Sequence, residues 1–207
     1  MSDGRKDLIV LVADKSMEEA VESVLSRPPS LGIQSIRWEI FRHPEKDAGC
    51  RAHGIAFLEP HVRSYRHALL MFDREGCGDE TTPVENLEAI LRRDLRHSWA
   101  DRGDVVIIEP ELDIWVWSDS PRVDEVIGWP AGSPSLRSWL ESKGFLPPGR
   151  TKPERPKEAL EAVLYEIRKP YSASLYGELA KRVSLKRCED RAFLNFKCIL
   201  QHWFGGE

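Results

Sequence analysis

Three short runs of this chain are apolar at every position: residues 8–12, 68–72 and 105–108. A run of this length without a polar residue is typical of a strand buried on both faces, as in a parallel sheet covered by helices. Residues 36–41 alternate well enough to predict a further strand. Segments with helical spacing of apolar residues lie between these runs. The pattern therefore predicts an α/β fold with a parallel-leaning sheet flanked by helices.

The segments between the strands also carry helix start signals. Ser16 and Glu19 have the spacing of a capping box, which predicts that the first helix begins there. A second helix is expected over residues 51–65, and a third from Thr82 to about His97. The register of these helices decides which polar side chains reach the carboxyl edge of the sheet.

The amino-acid composition of the chain changes after Pro121. Glycine and proline interrupt the sequence up to residue 155, with one short helix expected over 136–142. Beyond this connector, apolar and aromatic residues recur at helical spacing and predict three further helices. The sequence thus predicts an α/β core over residues 1–125, an irregular connector over 126–155, and a helical C-terminal extension over 156–207 packed on the core.

Composition restricts the classes of protein to which this chain can belong. The chain has 207 residues, a net charge of −4 and 41% hydrophobic residues, enough for a sizeable core. The four cysteines show no CxxC pairing, which predicts neither a zinc site nor a disulfide framework and indicates a reducing compartment. No apolar run approaches membrane length. We therefore expect a cytoplasmic protein with no membrane contact.

An acidic pair follows the most apolar run. Asp73 and Glu75 come directly after residues 68–72 and just before Gly76. If the strand geometry persists, both side chains point the same way at the carboxyl edge of the sheet, where open α/β folds bind ligands. Two carboxylates that close favour a hard divalent cation, or a raised pKa on one of them. The alternative is a short acidic turn that merely ends the strand.

Other acids are expected at the same edge. Asp14 follows the first strand, and Glu111 and Asp113 follow the strand at 105–108. All three can join the acidic pair if the strands lie side by side. Glu111 and Asp113 have a second interpretation, because acids in the first turn of a helix interact favourably with its dipole.

Several motifs extend over most of the chain. They read VADKSME at 12–18, MFDREGCG at 71–78, PELDIWVWSDSP at 110–121, PKEAL at 156–160 and AFLNF at 192–196. Together they resemble Toprim-like proteins. They are similar to an uncharacterised bacterial family with a Toprim-type core and, more narrowly, look like the fourth component of methylation-associated defence systems, which are multi-gene bacterial antiphage islands.

The resemblance implies a chemistry and a set of partners. It implies Mg²⁺- or Mn²⁺-dependent cleavage of phosphodiesters, with Asp73, Glu75 and Asp14 as metal ligands. Glu111 and Asp113 would complete the catalytic acidic cluster, and Asp14 has a second possible role as general base. The implied partners are other proteins of the defence system, with DNA or RNA as substrate. The oligomeric state does not follow from the sequence.

One departure from the family pattern leaves a second function open. Toprim enzymes use a glutamate just after the first strand, and a gapless match places Ala13 at that position. Asp14 is one residue further on and has a shorter side chain. The alternative is therefore a non-catalytic Toprim-like subunit that docks onto other defence proteins.

Overall fold

The structure is a computed structural model that describes residues 4–118, 120–132, 134–185 and 188–206. Asp119, within the PELDIWVWSDSP motif, lies outside the described residues. One sheet organises the fold. Its four strands are β1 (Lys6–Val12), β2 (Trp38–Arg42), β3 (Tyr65–Asp73) and β4 (Gly103–Ile108). They pair in the order β2-β1-β3-β4, and all three pairings are parallel.

The described residues also form nine α-helices. These are α1 (Lys15–Leu25), α2 (Pro28–Leu31), α3 (Lys46–Leu58), α4 (Val84–Trp99), α5 (Arg122–Ile127), α6 (Leu136–Ser142), α7 (Pro156–Glu166), α8 (Ser174–Arg182) and α9 (Arg191–Phe204). The α/β class and the parallel sheet predicted from the sequence are confirmed. None of the helices is long and apolar enough to cross a membrane.

Three helix starts differ from the prediction: α4 begins at Val84, after Pro83 rather than at Thr82, and α1 and α3 begin earlier than predicted. Helix α1 begins at Lys15, and its N-cap is Asp14, whose side chain accepts a hydrogen bond from the Met17 backbone N–H. The capping box predicted from Ser16 is therefore wrong, because Ser16 already lies inside the helix. Helix α3 begins at Lys46, five residues before the predicted start. The earlier starts of α1 and α3 place acidic side chains at the carboxyl edge of the sheet.

The apolar strands are buried on both faces. Alternate residues of β1 divide between two clusters: Leu8, Val10 and Val12 face one, and Ile9 and Leu11 face the other. Helices α3 and α4 cover the second face, and α1 covers the first. The continuous apolar runs follow from this arrangement, since the runs in β1, β3 and β4 are buried on both faces, whereas the edge strand β2 is partly exposed.

The C-terminal helices share the core of the first face. Residues of α7, α8 and α9 belong to the same buried cluster as β1 and α1. Helix α9 is also anchored by Arg191, which pairs with Glu88 of α4 at 3.1 Å and donates to the Ile107 carbonyl of β4 at 3.1 Å. Glu88 in turn accepts from the Ile107 backbone N–H at 3.0 Å. One ion pair thus joins α4, β4 and α9.

Candidate functional site

Three aspartates meet where the strand order reverses. The chain leaves β1 toward β2 on one side, while β3 and β4 lie on the other, so the carboxyl ends of β1 and β3 border a crevice. Open α/β sheets bind ligands in such crevices. Asp14 follows β1, Asp73 ends β3, and Asp47 lies in the first turn of α3. We call Asp14, Asp47 and Asp73 the aspartate triplet.

Backbone groups fix each member of the aspartate triplet. The Oδ1 atom of Asp14 accepts from Met17 N at 2.9 Å, and that of Asp47 accepts from Asp73 N at 2.8 Å. The Oδ1 atom of Asp73 accepts from Leu112 N at 2.9 Å. One oxygen of every carboxyl group is thus held by an N–H, which orients the carboxyl groups.

The aspartate triplet is electrostatically unfavourable as it stands. Burial raises the pKa of Asp73 well above its usual value, and the charges of Asp47 and Asp14 raise it further. Burial also raises the pKa of Asp47, and the charge of Asp14 adds to this. Raised carboxyl pKa values from burial and like charges are common at functional sites, because a ligand rather than the protein supplies the compensating charge.

A second acidic group lies beside the first. Glu111 is the N-cap of a short 3₁₀ turn after β4, and Asp113 lies within that turn. Both are buried, with 8% and 4% of their surface exposed. Asp113 accepts a hydrogen bond from the Tyr176 hydroxyl at 2.7 Å, and Lys157 Nζ lies 3.8 Å from Glu111 Oε2. The helical extension therefore supplies the partners of these two acids.

The five acids predicted from the sequence divide between two neighbouring groups. These groups interact, because the charge of Asp113 contributes to the raised pKa of Asp73, after burial and the charge of Asp47. Asp14 and Asp73 meet in the aspartate triplet, whereas Glu111 and Asp113 belong to the second group. Glu75 is exposed in the loop after β3, and its charge raises the pKa of Glu111. The strand ends at Asp73, so the period-two argument for Asp73 and Glu75 does not extend to Glu75.

Sequence reasoning missed Asp47. The predicted start of α3 at residue 51 leaves Asp47 outside the helix, whereas the structure places it in the first turn. The available signal was an acid a few residues after a predicted strand, at the same edge as Asp14 and Asp73. Only the tertiary contact between Asp47 and the Asp73 backbone makes it a member of the site.

The loop after β3 is fixed by its own side chains. Arg74 pairs with Glu109 at 3.2 Å and donates to the Glu80 carbonyl at 2.6 Å. Glu80 Oε1 accepts from the backbone N–H groups of Gly76 and Gly78 at 3.0 and 3.1 Å. The loop therefore closes on itself next to Asp73, and Arg74 neutralises Glu109 rather than the aspartate triplet.

The aromatic residues of the PELDIWVW motif serve packing. Trp117 is buried, and its indole N–H donates to the Pro156 carbonyl at 2.9 Å. Trp115 donates to Asp190 Oδ1 at 2.9 Å and packs edge-on against Phe193. Both rings hold the turn after β4 against the helical extension.

The carboxylates of the aspartate triplet are candidate ligands for a divalent cation. Within the described ranges, no group of three His, Cys, Asp or Glu side chains is arranged to hold a metal ion. A closed, all-protein metal cage is therefore not a feature of this part of the chain. Mg²⁺ commonly uses one or two carboxylates together with water and substrate phosphates. Asp14 and Asp73, each oriented by a backbone N–H, fit that open kind of site.

Glu111 gives a prediction for pH dependence. Burial, followed by the charge of Asp113, raises the pKa of Glu111 from 4.5 to about 7, with Lys157 opposing the shift. A folded-state pKa above the unfolded value means that the protonated acid favours folding below about pH 4.5. This contribution is lost as the pH rises through 7. Glu111→Gln retains the neutral form, so its stability relative to the wild type should improve by about 2 kcal/mol between pH 5 and pH 8.

Urea unfolding at both pH values measures the effect. Glu158→Gln is the matched control, because Glu158 is exposed and pairs with Arg155 at the surface. A parallel shift of the two variants, or no change for Glu111→Gln, would contradict the assignment.

Comparisons with known proteins add no identification. No protein-family model, no curated protein and no solved structure matches this chain.

Proposed function

We propose that this protein is a Toprim-like component of a multi-gene antiphage defence system, and that its aspartate triplet supports Mg²⁺- or Mn²⁺-dependent cleavage of nucleic-acid phosphodiesters. The observation that carries the proposal is the meeting of three carboxyl groups from three segments at the crevice between β1 and β3. The raised pKa values of Asp47 and Asp73 support it, because burial and the neighbouring carboxylates disfavour the charged forms of these acids, and a bound cation would favour them.

Each aspartate has a distinct part in this proposal. Asp14 and Asp73 would hold the cation, since each has one oxygen fixed by a backbone N–H and a second oxygen for a ligand. Asp47 accepts from the Asp73 backbone and therefore positions that residue. When bound, a divalent cation polarises a phosphoryl oxygen and lowers the pKa of a bound water. Glu111 and Asp113 would act from the second group by adding negative potential.

The defence role is supported by the motifs rather than by the site. The PELDIWVW residues form the turn that presents Leu112 N to Asp73, so this motif contributes directly to the aspartate triplet. The PKEAL motif supplies Lys157, the partner of Glu111. Two segments that resemble the defence family therefore converge on one edge of the sheet. The partners we propose are other proteins of the system, with DNA or RNA as substrate.

A second candidate is a non-catalytic docking subunit of the same system. Ala13 occupies the position of the Toprim glutamate and is buried. Asp14, the nearest acid, has one oxygen occupied as the helix cap. In this case the aspartate triplet would be a remnant of the fold, and the protein would act through contacts with its partners.

Cleavage assays separate the two candidates. Plasmid DNA, single-stranded DNA and single-stranded RNA are incubated with the protein in an excess of Mg²⁺ or Mn²⁺. The enzyme proposal expects cleavage that Asp73→Asn abolishes and Asp101→Asn leaves unchanged, because Asp101 is exposed before the amino end of β4. Absence of cleavage by the wild type on all three substrates would favour the docking subunit.

A further inference from the structure

Two tyrosines of the helical extension reach the acidic edge of the sheet. The Tyr176 hydroxyl of α8 donates to Asp113 Oδ1 at 2.7 Å, and the Tyr171 hydroxyl lies 2.5 Å from that of Tyr176. Because the Tyr176 hydrogen is used by Asp113, the Tyr171 hydroxyl donates to the Tyr176 oxygen. The two hydroxyls therefore form a directed chain that ends at a carboxyl group. We call Tyr171 and Tyr176 the tyrosine bridge.

The bond between Tyr176 and Asp113 is buried. These two residues are only 3% and 4% exposed, so water cannot readily replace either partner. Burial raises the pKa of Asp113, and the hydrogen bond from Tyr176 and the charge of Lys157 oppose the rise. A buried carboxyl group that loses its donor bears the full cost of its desolvation. The position of Asp113 therefore depends on the Tyr176 hydroxyl.

Asp113 lies beside the backbone group that fixes Asp73. It follows Leu112 in the 3₁₀ turn after β4, and the Leu112 N–H donates to Asp73 Oδ1 at 2.9 Å. The Val116 N–H donates to the Asp113 carbonyl at 3.1 Å and closes the turn. Because the turn is short, a displacement of Asp113 moves the Leu112 N–H with it. The turn thus transmits the position of Asp113 to the carboxyl group of Asp73.

The other end of the tyrosine bridge lies against α1, the helix that Asp14 caps. Burial raises the pKa of Tyr171, and its hydrogen bonds with Tyr176 and with the Ser16 side chain oppose the rise. Ser16 is buried in the first turn of α1, two residues after Asp14. The tyrosine bridge therefore joins the segment that carries Asp14 to the turn that orients Asp73.

Close packing of α8 against α1 supports the tyrosine bridge. A Cβ atom on Gly177, the residue after Tyr176, would lie 3.2 Å from Ser23 Oγ and 3.4 Å from the Glu19 carbonyl oxygen. The glycine thus lets the two helices approach closely, and little space remains between them. Since packed helices resist small displacements, α8 presents the Tyr176 hydroxyl from a rigid support.

We propose that the tyrosine bridge positions the aspartate triplet for a divalent cation: Tyr176, supported by Tyr171, holds the turn after β4 so that the Leu112 N–H keeps the Asp73 carboxyl group oriented. This inference rests on the proposed function and extends it to the helical extension. Hydrogen bonds in the outer shell of a metal site orient its ligands, and their loss typically weakens metal binding by about 10- to 100-fold. Tyr176 is thus a positioning residue and not a ligand.

Tyr176→Phe tests the inference, because it removes the hydroxyl and keeps the ring. In EDTA, the Leu112 amide should exchange faster with deuterated solvent, whereas the Ile107 amide, which Glu88 holds, should be unchanged. Calorimetric titration should show an Mn²⁺ affinity about ten-fold below that of the wild type, at a temperature where both proteins are folded. Tyr165→Phe is the matched control, because Tyr165 is 87% exposed.

A lower Tm of Tyr176→Phe with unchanged Mn²⁺ affinity would overturn the inference, because the tyrosine bridge would then serve packing alone. An unchanged Leu112 amide would also overturn it. Tyr171→Phe keeps the bond between Tyr176 and Asp113, so it should weaken Mn²⁺ binding less; if Tyr176→Phe does not fold, wild-type affinity of Tyr171→Phe overturns the inference. A wild type that binds no Mn²⁺ would instead refute the proposed function itself, and the inference with it.

Discussion

Asp73→Asn is expected to abolish Mn²⁺ binding and, at the same time, to stabilise the metal-free protein. The amide keeps an oxygen that can accept from Leu112 N, so the turn after β4 should remain in place. The substitution removes a buried charge that is repelled by Asp47 and Asp14. We expect a rise in Tm of about 3–6 °C at pH 8 in EDTA, which corresponds to about 1–2 kcal/mol for a chain of this length.

Calorimetric titration with Mn²⁺ and thermal melting in EDTA measure the two effects. The wild type should bind Mn²⁺ and gain stability from it, whereas Asp73→Asn should show neither property. Asp101→Asn provides the control for a lost surface charge. A variant that is destabilised in EDTA while still binding Mn²⁺ would show that Asp73 is a structural residue and that the cation binds elsewhere.

Among the substitutions predicted in this protein, Arg191→Ala is expected to lower the free energy of unfolding the most. Glu88 has only 6% of its side chain exposed, and Arg191 is its partner at 3.1 Å. Truncating Arg191 leaves a buried carboxylate with the Ile107 N–H as its remaining partner and frees the Ile107 carbonyl. The expected cost is about 2–3 kcal/mol, below that of a fully buried pair because Arg191 is 40% exposed.

Urea unfolding at pH 7 measures this cost. Arg155→Ala is the matched control, since Arg155 pairs with Glu158 at an exposed surface position and should change stability by less than about 0.5 kcal/mol. The double variant Glu88→Gln with Arg191→Met should recover part of the loss, because it removes both charges. Equal effects of Arg191→Ala and Arg155→Ala would show that α9 is held by its apolar contacts alone.

The strands were predictable because their signal is local. In a chain of this size, an apolar run of four to five residues commonly forms a strand that is covered on both faces. The structure extends these runs by one to three residues at their polar ends, as in β3 (Tyr65–Asp73). Helix α5 (Arg122–Ile127) was not predicted, because six residues ended by Gly128 in a left-handed conformation resemble a loop in sequence.

The candidate site was predictable only in part. Asp14 and Asp73 were found because each follows a strand, and parallel strands end at one edge of the sheet. Asp47 was missed because its contact with the Asp73 backbone spans 26 residues. Glu75 and Glu111 lie outside the aspartate triplet, and this too depends on tertiary structure, because it follows from where β3 and the turn after β4 end.

The sequence by itself determined the class of fold, the parallel strands and the acids that follow them, because burial on two faces and period-two geometry are properties of short segments. Only the tertiary structure decided which acids meet, since strand order places β1 between β2 and β3. It also brought the tyrosine bridge to Asp113. Convergence of side chains from distant segments depends on the packing of the whole chain, and no local pattern encodes it.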